Sequence, residues 1–225
     1  MATMKTIRAR HAVRAYKDDA IKPDALKRLR TVVDEAARES GLNIQLVENN
    51  PEAFNILARF GVVRGARQYV ALVVREDTPD EAIGYWGQKI VLEAQDLGLN
   101  TCWCALCSRK KSRAKVGEGE KIRLVIAVGY GKTQGEARKT KGFDELAAVE
   151  GGLPAPAWFK TAVEAAQLAP TAMNHQNFKL TLRPDGRTVR AEAPEGGFNL
   201  VDLGIVKRHV EVAAAECNAD FEWEK

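Results

Sequence analysis

An α+β fold is what this sequence predicts. Segments of helical and of strand periodicity alternate along it, glycine and proline signals separate them, and beyond residue 156 the alternation starts again. At 225 residues, 45% of them hydrophobic, the chain is long enough to bury a full core, as one large domain or two small ones packed closely.

The first helix opens at Pro23, a position where no backbone N–H is needed, and carries Leu26, Leu29, Val33 and Ala36 at helical spacing until Gly41 closes it. A short alternating strand follows at 44–47. Residues 69–74 are β-branched and apolar enough for a buried strand. Thr78-Pro79-Asp80-Glu81 reads as a capping box with proline at the first helical position. It starts a long helix to Leu97, ended by Gly98. Segments 99–105 and 122–128 read as two further core strands, the second running into the turn Gly129-Tyr130-Gly131. Residues 1–133 therefore have a core of their own. Residues 134–156, rich in charge, glycine and proline, read as a connecting segment without a packed element. The last part, 157–225, begins with a helix over 157–168 and a strand over 178–182. The turn Pro184-Asp185-Gly186 makes a hairpin with 188–193. A helix over 200–215 and a strand over 221–223 complete it.

Composition excludes several classes. Thirty-four Lys and Arg against 30 Asp and Glu leave a formal charge of +4, spread over 5–17, 109–115 and 138–141. No aromatic stacking platform or recognition motif accompanies these clusters, which argues against a nucleic-acid module. The first 17 residues carry no apolar signal core, and no run approaches the roughly 18 apolar residues that span a bilayer, so a cytoplasmic protein without a membrane partner is expected. Cys102, Cys104 and Cys107 form a C-x-C-x2-C run, but Cys217 and the three histidines supply no matching pair for a four-ligand zinc site. Alternation in a strand puts Cys102 and Cys104 on one face and Trp103 on the other, which reads as reduced core cysteine and no metal. No Gly-x-Ser-x-Gly, Walker-type or His-Glu-x-x-His motif is present. His209 falls in an amphipathic helix and reads as a structural residue.

The stretch Ala169-Pro170-Thr171-Ala172-Met173-Asn174-His175-Gln176-Asn177-Phe178 resembles the loop with which nitroreductase-family flavoproteins hold the isoalloxazine ring of FMN. The resemblance covers nearly the whole chain. Arg10-His11-Ala12-Val13-Arg14 is similar to the family's arginine-rich phosphate-binding start. Leu99-Asn100-Thr101-Cys102-Trp103 is similar to its central strand, Val128-Gly129-Tyr130-Gly131 to the next strand end, and Arg138-Lys139-Thr140-Lys141 to its late phosphate-binding segment. In the family two subunits interlock, and each FMN takes phosphate anchors from one subunit and ring contacts from the other. Here the ring loop lies in the last quarter of the chain. That placement resembles the TM nitroreductase-like subgroup, a single-chain version of the family dimer. The implied fold is nitroreductase-like and internally duplicated, with antiparallel-rich mixed sheets packed by helices. Glu35-Ala36-Ala37 and Glu164-Ala165-Ala166 are a faint shared text of the two halves. The first-half counterpart of the ring loop, Arg38-Glu39-Ser40-Gly41-Leu42-Asn43, lacks the proline and the apolar wall. One FMN per chain, held across the two halves in a monomer, is the expectation.

The residue types suit that cofactor. Arginine meets a phosphate dianion with a planar fork and lysine with a point charge, so Arg10 and Arg14 with Arg138, Lys139 and Lys141 are the expected anchors. Ala12 stands where the family has a hydroxyl residue, and His11 is the candidate replacement donor. Pro170, Thr171 and Ala172 would form a small-residue wall, with Asn174 and then Gln176 at the polar pyrimidine edge. Backbone groups of Ala105 and Leu106 fall where the family sets an N–H against flavin N5 and O4. No catalytic side chain is expected, because the flavin carries the difficult step. The implied activity is FMN-dependent oxidation of NADH or NADPH, with hydride passed through N5 to a small nitroaromatic or quinone-like acceptor. The alternative is a flavin-binding protein without turnover, since Ala12, Ala105-Leu106-Cys107 and Asn177 all depart from the family pattern.

Overall fold

Met4, Thr6 and Ile7 are buried along one side of a short helix, α1 (Met4–Ala9), that periodicity alone does not reveal. Six residues are too few for a convincing helical repeat. The computed structural model describes residues 2–55, 62–105, 107 and 110–224. They form two compact units. One comprises Ala9–Thr78 and Lys89–Ala137, the other Met1–Arg8, Pro79–Gln88 and Arg138–Lys225.

The first unit is built on a wholly antiparallel sheet. Helix α2 (Pro23–Ser40) starts at its proline and ends where Gly41 takes φ 70°, a left-handed conformation that donates the Gly41 N–H to Ala37 O. Strands β1 (Asn43–Val47), β2 (Gln68–Val74), β3 (Asn100–Cys104) and β4 (Lys121–Gly129) lie in the order β1-β2-β4-β3. Cys102 and Cys104 fall on the buried face of β3, packed with Tyr69, Phe54 and Val125, as strand alternation requires. Tyr69 meets Phe54 edge to face at 5.5 Å, and its buried hydroxyl donates to Asn50 Oδ1 at 2.8 Å.

The second unit holds a mixed sheet in the order β5-β6-β7-β8. The segment expected as a bare connection contributes to it. Leu146 at the end of the one-turn helix α4 (Phe143–Leu146) is buried, and β5 (Ala147–Val149) pairs in parallel with β6 (Lys179–Leu182). Three strand residues followed by Glu150-Gly151-Gly152 leave no alternation long enough to read. The hairpin of β6 and β7 (Thr188–Glu192) forms as expected, and β8 (Glu222–Trp223) runs parallel to β7. Helices α5 (Ala157–Gln167) and α6 (Asn199–Glu216) pack against each other in this unit. His209, fully buried on α6, donates from Nδ1 to Ala165 O at 2.8 Å and accepts from the Gln88 amide at 2.8 Å, the satisfied structural role expected of it.

Helix α3 (Asp80–Asp96) contributes its residues up to Gln88 to the second unit, where it crosses α6 at two glycines. A Cβ on Gly84 would lie 1.8 Å from Val201 O and 3.1 Å from Ile205 N; a Cβ on Gly204 would lie 1.9 Å from Glu81 O and 2.7 Å from Tyr85 N. Each glycine thus faces the residue three before, and the residue one after, the other glycine. The ends of the same helices match at the same spacing of 120 positions. Leu99 N donates to Ala94 O and Ala219 N to Ala214 O, both at 2.9 Å; Gly98 N donates to Gln95 O at 3.0 Å and Asn218 N to Ala215 O at 3.1 Å. Gly98 and Asn218 both have positive φ, 74° and 51°.

Candidate functional site

Pro170 fixes where the second unit's functional loop begins. Leu168 and Ala169 close α5 by donating to Ala165 O and Ala166 O at 3.2 and 3.0 Å, and proline, lacking an N–H, cannot extend the helix. The chain then folds on itself. Asn174 N donates to Thr171 O and His175 N to Ala172 O, both at 3.0 Å, while Gln176 N donates to Thr171 Oγ1 at 3.1 Å. Three of four successive residues in this tight turn have positive φ without being glycine: Met173 at 51°, Asn174 at 59° and Gln176 at 50°. Asparagine tolerates that region; methionine and glutamine seldom enter it. Met173, at the tip, is 87% exposed.

The loop is bonded to the basic segment some thirty residues earlier, so two stretches singled out separately in the sequence meet. Asn174 Nδ2 donates to Lys139 O at 2.9 Å, and Gln176 Nε2 to the same oxygen at 3.1 Å. Lys141 N donates to Gln176 Oε1 at 3.0 Å and Lys141 Nζ to Gln176 O at 3.1 Å. Arg138 Nη2 donates to Ala169 O at 3.3 Å. Gln176 is buried and satisfied by these bonds, so here it fastens the loop to the basic segment. Among the described residues Asn174 engages its Nδ2 alone, and its Oδ1 is an acceptor. Pro170 and Thr171 are buried beneath the turn, and Lys139 is exposed.

One further residue of this site escapes sequence reasoning. Asp202, in the first turn of α6, accepts the Ala172 N–H at both carboxylate oxygens, at 3.1 and 2.9 Å, and is buried. Burial pushes its carboxyl up to about 6, against the opposing pull of the Ala172 N–H and the nearby Arg138 charge. The signal was present as the one acid in an apolar run, Leu200-Val201-Asp202-Leu203-Gly204-Ile205. An acid in the first turn of a helix, however, has an ordinary explanation in the helix dipole.

The remaining predicted residues belong to the first unit. Residues 12–17 are laid along β3 and the turn after β4: Val13 N donates to Thr101 O at 3.0 Å, Lys17 N to Tyr130 O at 2.8 Å and Lys132 N to Ala15 O at 2.8 Å. Gly135 follows so closely that a Cβ there would sit 2.6 Å from His11 Cβ, at a φ of 79°. Arg10 is buried and Arg14 exposed. Both charges act on the Cys102 thiol, which a hydrogen bond from Cys104 chiefly holds below its ordinary range. Ala12, where the resemblance expects a hydroxyl, packs its methyl on the core. Ala105 is exposed just after β3; Leu106 lies outside the described residues. Among the described residues no group of three or more His, Cys, Asp or Glu is placed to hold a metal, and no helix is long and apolar enough to cross a membrane.

This arrangement is the nitroreductase fold. A putative nitroreductase from Thermotoga maritima superposes with a TM-score of 0.68 over 96% of this chain and 85% of its own, at 22% identity. A putative nitroreductase from Desulfovibrio desulfuricans, solved in complex with FMN, covers 64% of this chain and 94% of its own at 20% identity and a TM-score of 0.50. A putative NADH dehydrogenase/NAD(P)H nitroreductase from Parabacteroides distasonis covers 64% and 95%, at 20% identity and a TM-score of 0.51. The family model described as "Putative TM nitroreductase" matches residues 2–214, and the chain belongs to that family. No curated protein is detectably similar to it in sequence.

Proposed function

We propose that this protein is an FMN-dependent oxidoreductase that takes hydride from NADH or NADPH and delivers it to a small oxidised acceptor of the nitroaromatic or quinone-like class. The observation that carries the reading is the junction of loop 169–176 with segment 138–141, in which Asn174 and Gln176 both bond Lys139 O. The donor set fits a phosphorylated flavin. Lys139 and Lys141, with Arg10 and Arg14, are cations suited to its phosphate, and Asn174 keeps an amide oxygen for the ring N3–H. FMN, when bound, supplies a ring that accepts and donates hydride at N5. The chain's own part is to orient that ring with Pro170, Thr171 and Ala172, to neutralise the phosphate, and to offer backbone N–H groups near Ala105. No side-chain acid or base is assigned. The FMN-bound relative from D. desulfuricans and the NAD(P)H nitroreductase named in P. distasonis are consistent with this assignment.

The chain is further read as an internally duplicated, monomeric, cytoplasmic protein. The duplication is supported by the reciprocal glycine crossing and the matched helix ends, both at a spacing of 120 positions. It is supported also by strand direction, since β3 runs parallel to β2 through β4 as β8 runs parallel to β7. Flavin binding without turnover is the second reading, favoured by the methyl of Ala12 packed on the core where a hydroxyl is expected.

Titration of purified protein with FMN, followed by flavin fluorescence and visible absorbance, tests the proposal. Saturation at one FMN per chain and ping-pong oxidation of NADH or NADPH with a quinone are expected. Absence of binding overturns it; binding without nicotinamide oxidation selects the second reading.

A further inference from the structure

Three residues of loop 169–176 sit in a backbone region that L-amino acids enter reluctantly, so the loop does not hold its shape by local preference. Its shape is imposed from outside, and the imposing contacts can be traced. On one side the basic segment 138–141 bonds Ala169, Asn174 and Gln176. On the other, one contact from helix α6 reaches the residue immediately before the strained turn: the Asp202 carboxylate receives the Ala172 N–H.

The geometry points to Asp202 as a positioning residue, which holds the Ala172–Gln176 turn in the conformation that receives the flavin ring. The inference rests on the flavin reading above. A carboxylate is suited to the task because a charge-assisted bond is stronger than a neutral one, and because two oxygens keep the N–H satisfied through small rotations. Burial removes water as a competing partner for Ala172. Arg138 balances the charge, and by donating to Ala169 O it secures the loop's other end. Asp202 is itself located by the crossing of helices α3 and α6. Gly204, two residues on, abuts the backbone of Glu81, so α6 has little freedom to carry the carboxylate away. The line of support runs from a glycine contact, through two residues of helix, to a carboxylate and then to the loop.

The test compares the full-length protein with Asp202→Asn and Asp202→Ala. Backbone hydrogen exchange is read over 169–178 and over α6 without cofactor, and each protein is titrated with FMN. Expected for Asp202→Ala is exchange at least about tenfold faster over 169–178 with α6 protection retained, together with FMN affinity weakened about tenfold or more. Asp202→Asn, which keeps one oxygen, should fall between it and the parent in both readouts. Should Asp202→Ala not fold, Asp202→Asn alone carries the comparison. The visible spectrum of bound FMN should broaden in Asp202→Asn, a signature that loss of overall stability does not produce. A parent that binds FMN while Asp202→Asn binds it equally well, with the same spectrum, overturns this inference alone. So does unchanged exchange over 169–178. A parent that binds no FMN overturns the flavin reading and this inference with it.

Discussion

Replacing Gly84 by alanine adds one methyl group at the place where two helix backbones meet. In an open helix the change would help, since alanine exceeds glycine in helix propensity by about 1 kcal/mol. Here the new Cβ would lie 1.8 Å from Val201 O and 2.8 Å from its carbonyl carbon, both rigid backbone atoms. A carbon–oxygen contact relaxes only near about 3.4 Å, so α3 and α6 must part locally by about 1.5 Å. A gap of that size forfeits more than half of the dispersion between facing atoms, and Ile83, Val201 and Ile205 are all buried there. Overpacking typically costs about 1–3 kcal/mol and occasionally more. A clash with rigid backbone on this scale belongs at or beyond the upper end, about 3–5 kcal/mol, so a net loss of about 2–4 kcal/mol is expected after the propensity gain, and for a chain of this length that lowers Tm by roughly 5–15 °C. Gly204→Ala meets Glu81 O at 1.9 Å and should cost about the same. Once one alanine has parted the helices the second finds room, so the double variant should lose clearly less than the sum of the two. Thermal and urea unfolding by circular dichroism measure all three. A Gly84→Ala protein as stable as the parent would refute the close crossing, and strict additivity would refute a shared contact.

Asp202 gives a pH prediction with a definite sign. Its folded carboxyl stands at about 6 against 3.8 for an exposed one, so the native chain binds the extra proton between those values. The stability it contributes is fully present below about 3.8 and is lost as pH rises through about 6, whereas Asp202→Asn lacks that dependence; unfolding of both from pH 4 to 8 should show the parent gaining on the variant as pH falls. Over the same window the loop's protection, its exchange rate set against the unprotected rate at each pH, should fall with pH, because a neutral carboxyl is a weaker acceptor for Ala172; protection that rises together with stability would contradict the assignment. Gln176→Leu leaves Lys141 N without its side-chain acceptor and removes one of the two amide donors to Lys139 O, which keeps the Asn174 bond; it should cost about 1–3 kcal/mol, read as a fall in Tm and faster exchange over 138–141. Arg14→Ala removes an exposed cation and should leave Tm within about 1 °C while weakening FMN about ten- to hundredfold, an effect that shrinks with added salt; unchanged affinity would remove Arg14 from the phosphate site.

Local chemistry was legible where a residue type has one backbone consequence. Pro23 and Gly41 bound α2, and the apolar run 69–74 is a central strand. The loop at Pro170 was recognisable as text, but its conformation was not, since neither Met173 nor Gln176 announces positive φ. β5 and β8, of three and two residues, are strands only because a neighbour offers hydrogen bonds. Gly84 and Gly204 were invisible for a related reason. Glycine was read as a signal that ends helices, and only the opposing backbone gives it a purpose in mid-helix. Asp202 combines both difficulties, because its partner is an amide thirty residues away.

The spacing of 120 positions explains why the inferred duplication leaves so little trace in the text. On the proposed duplication, two stretches can share a backbone task without sharing a residue: Gly98 and Asn218 both enter the left-handed region to close a helix. Identity survives where a side chain of any size is forbidden, as at Gly84 and Gly204, and at few other places, Ala94 with Ala214 and Trp103 with Trp223 among them. A reciprocal contact of this kind is what a twofold interface between identical subunits makes, and the proposed duplication accounts for finding it within one chain. The loops were under no such constraint. Loop 169–176 keeps its proline and its strained turn, while residues 38–43 close α2 through Gly41 and pass directly into β1. On the proposed flavin reading, a single ring loop leads to the expectation of one FMN per chain, and a second equivalent FMN would overturn the assignment of residues 38–43 as a loop without that role.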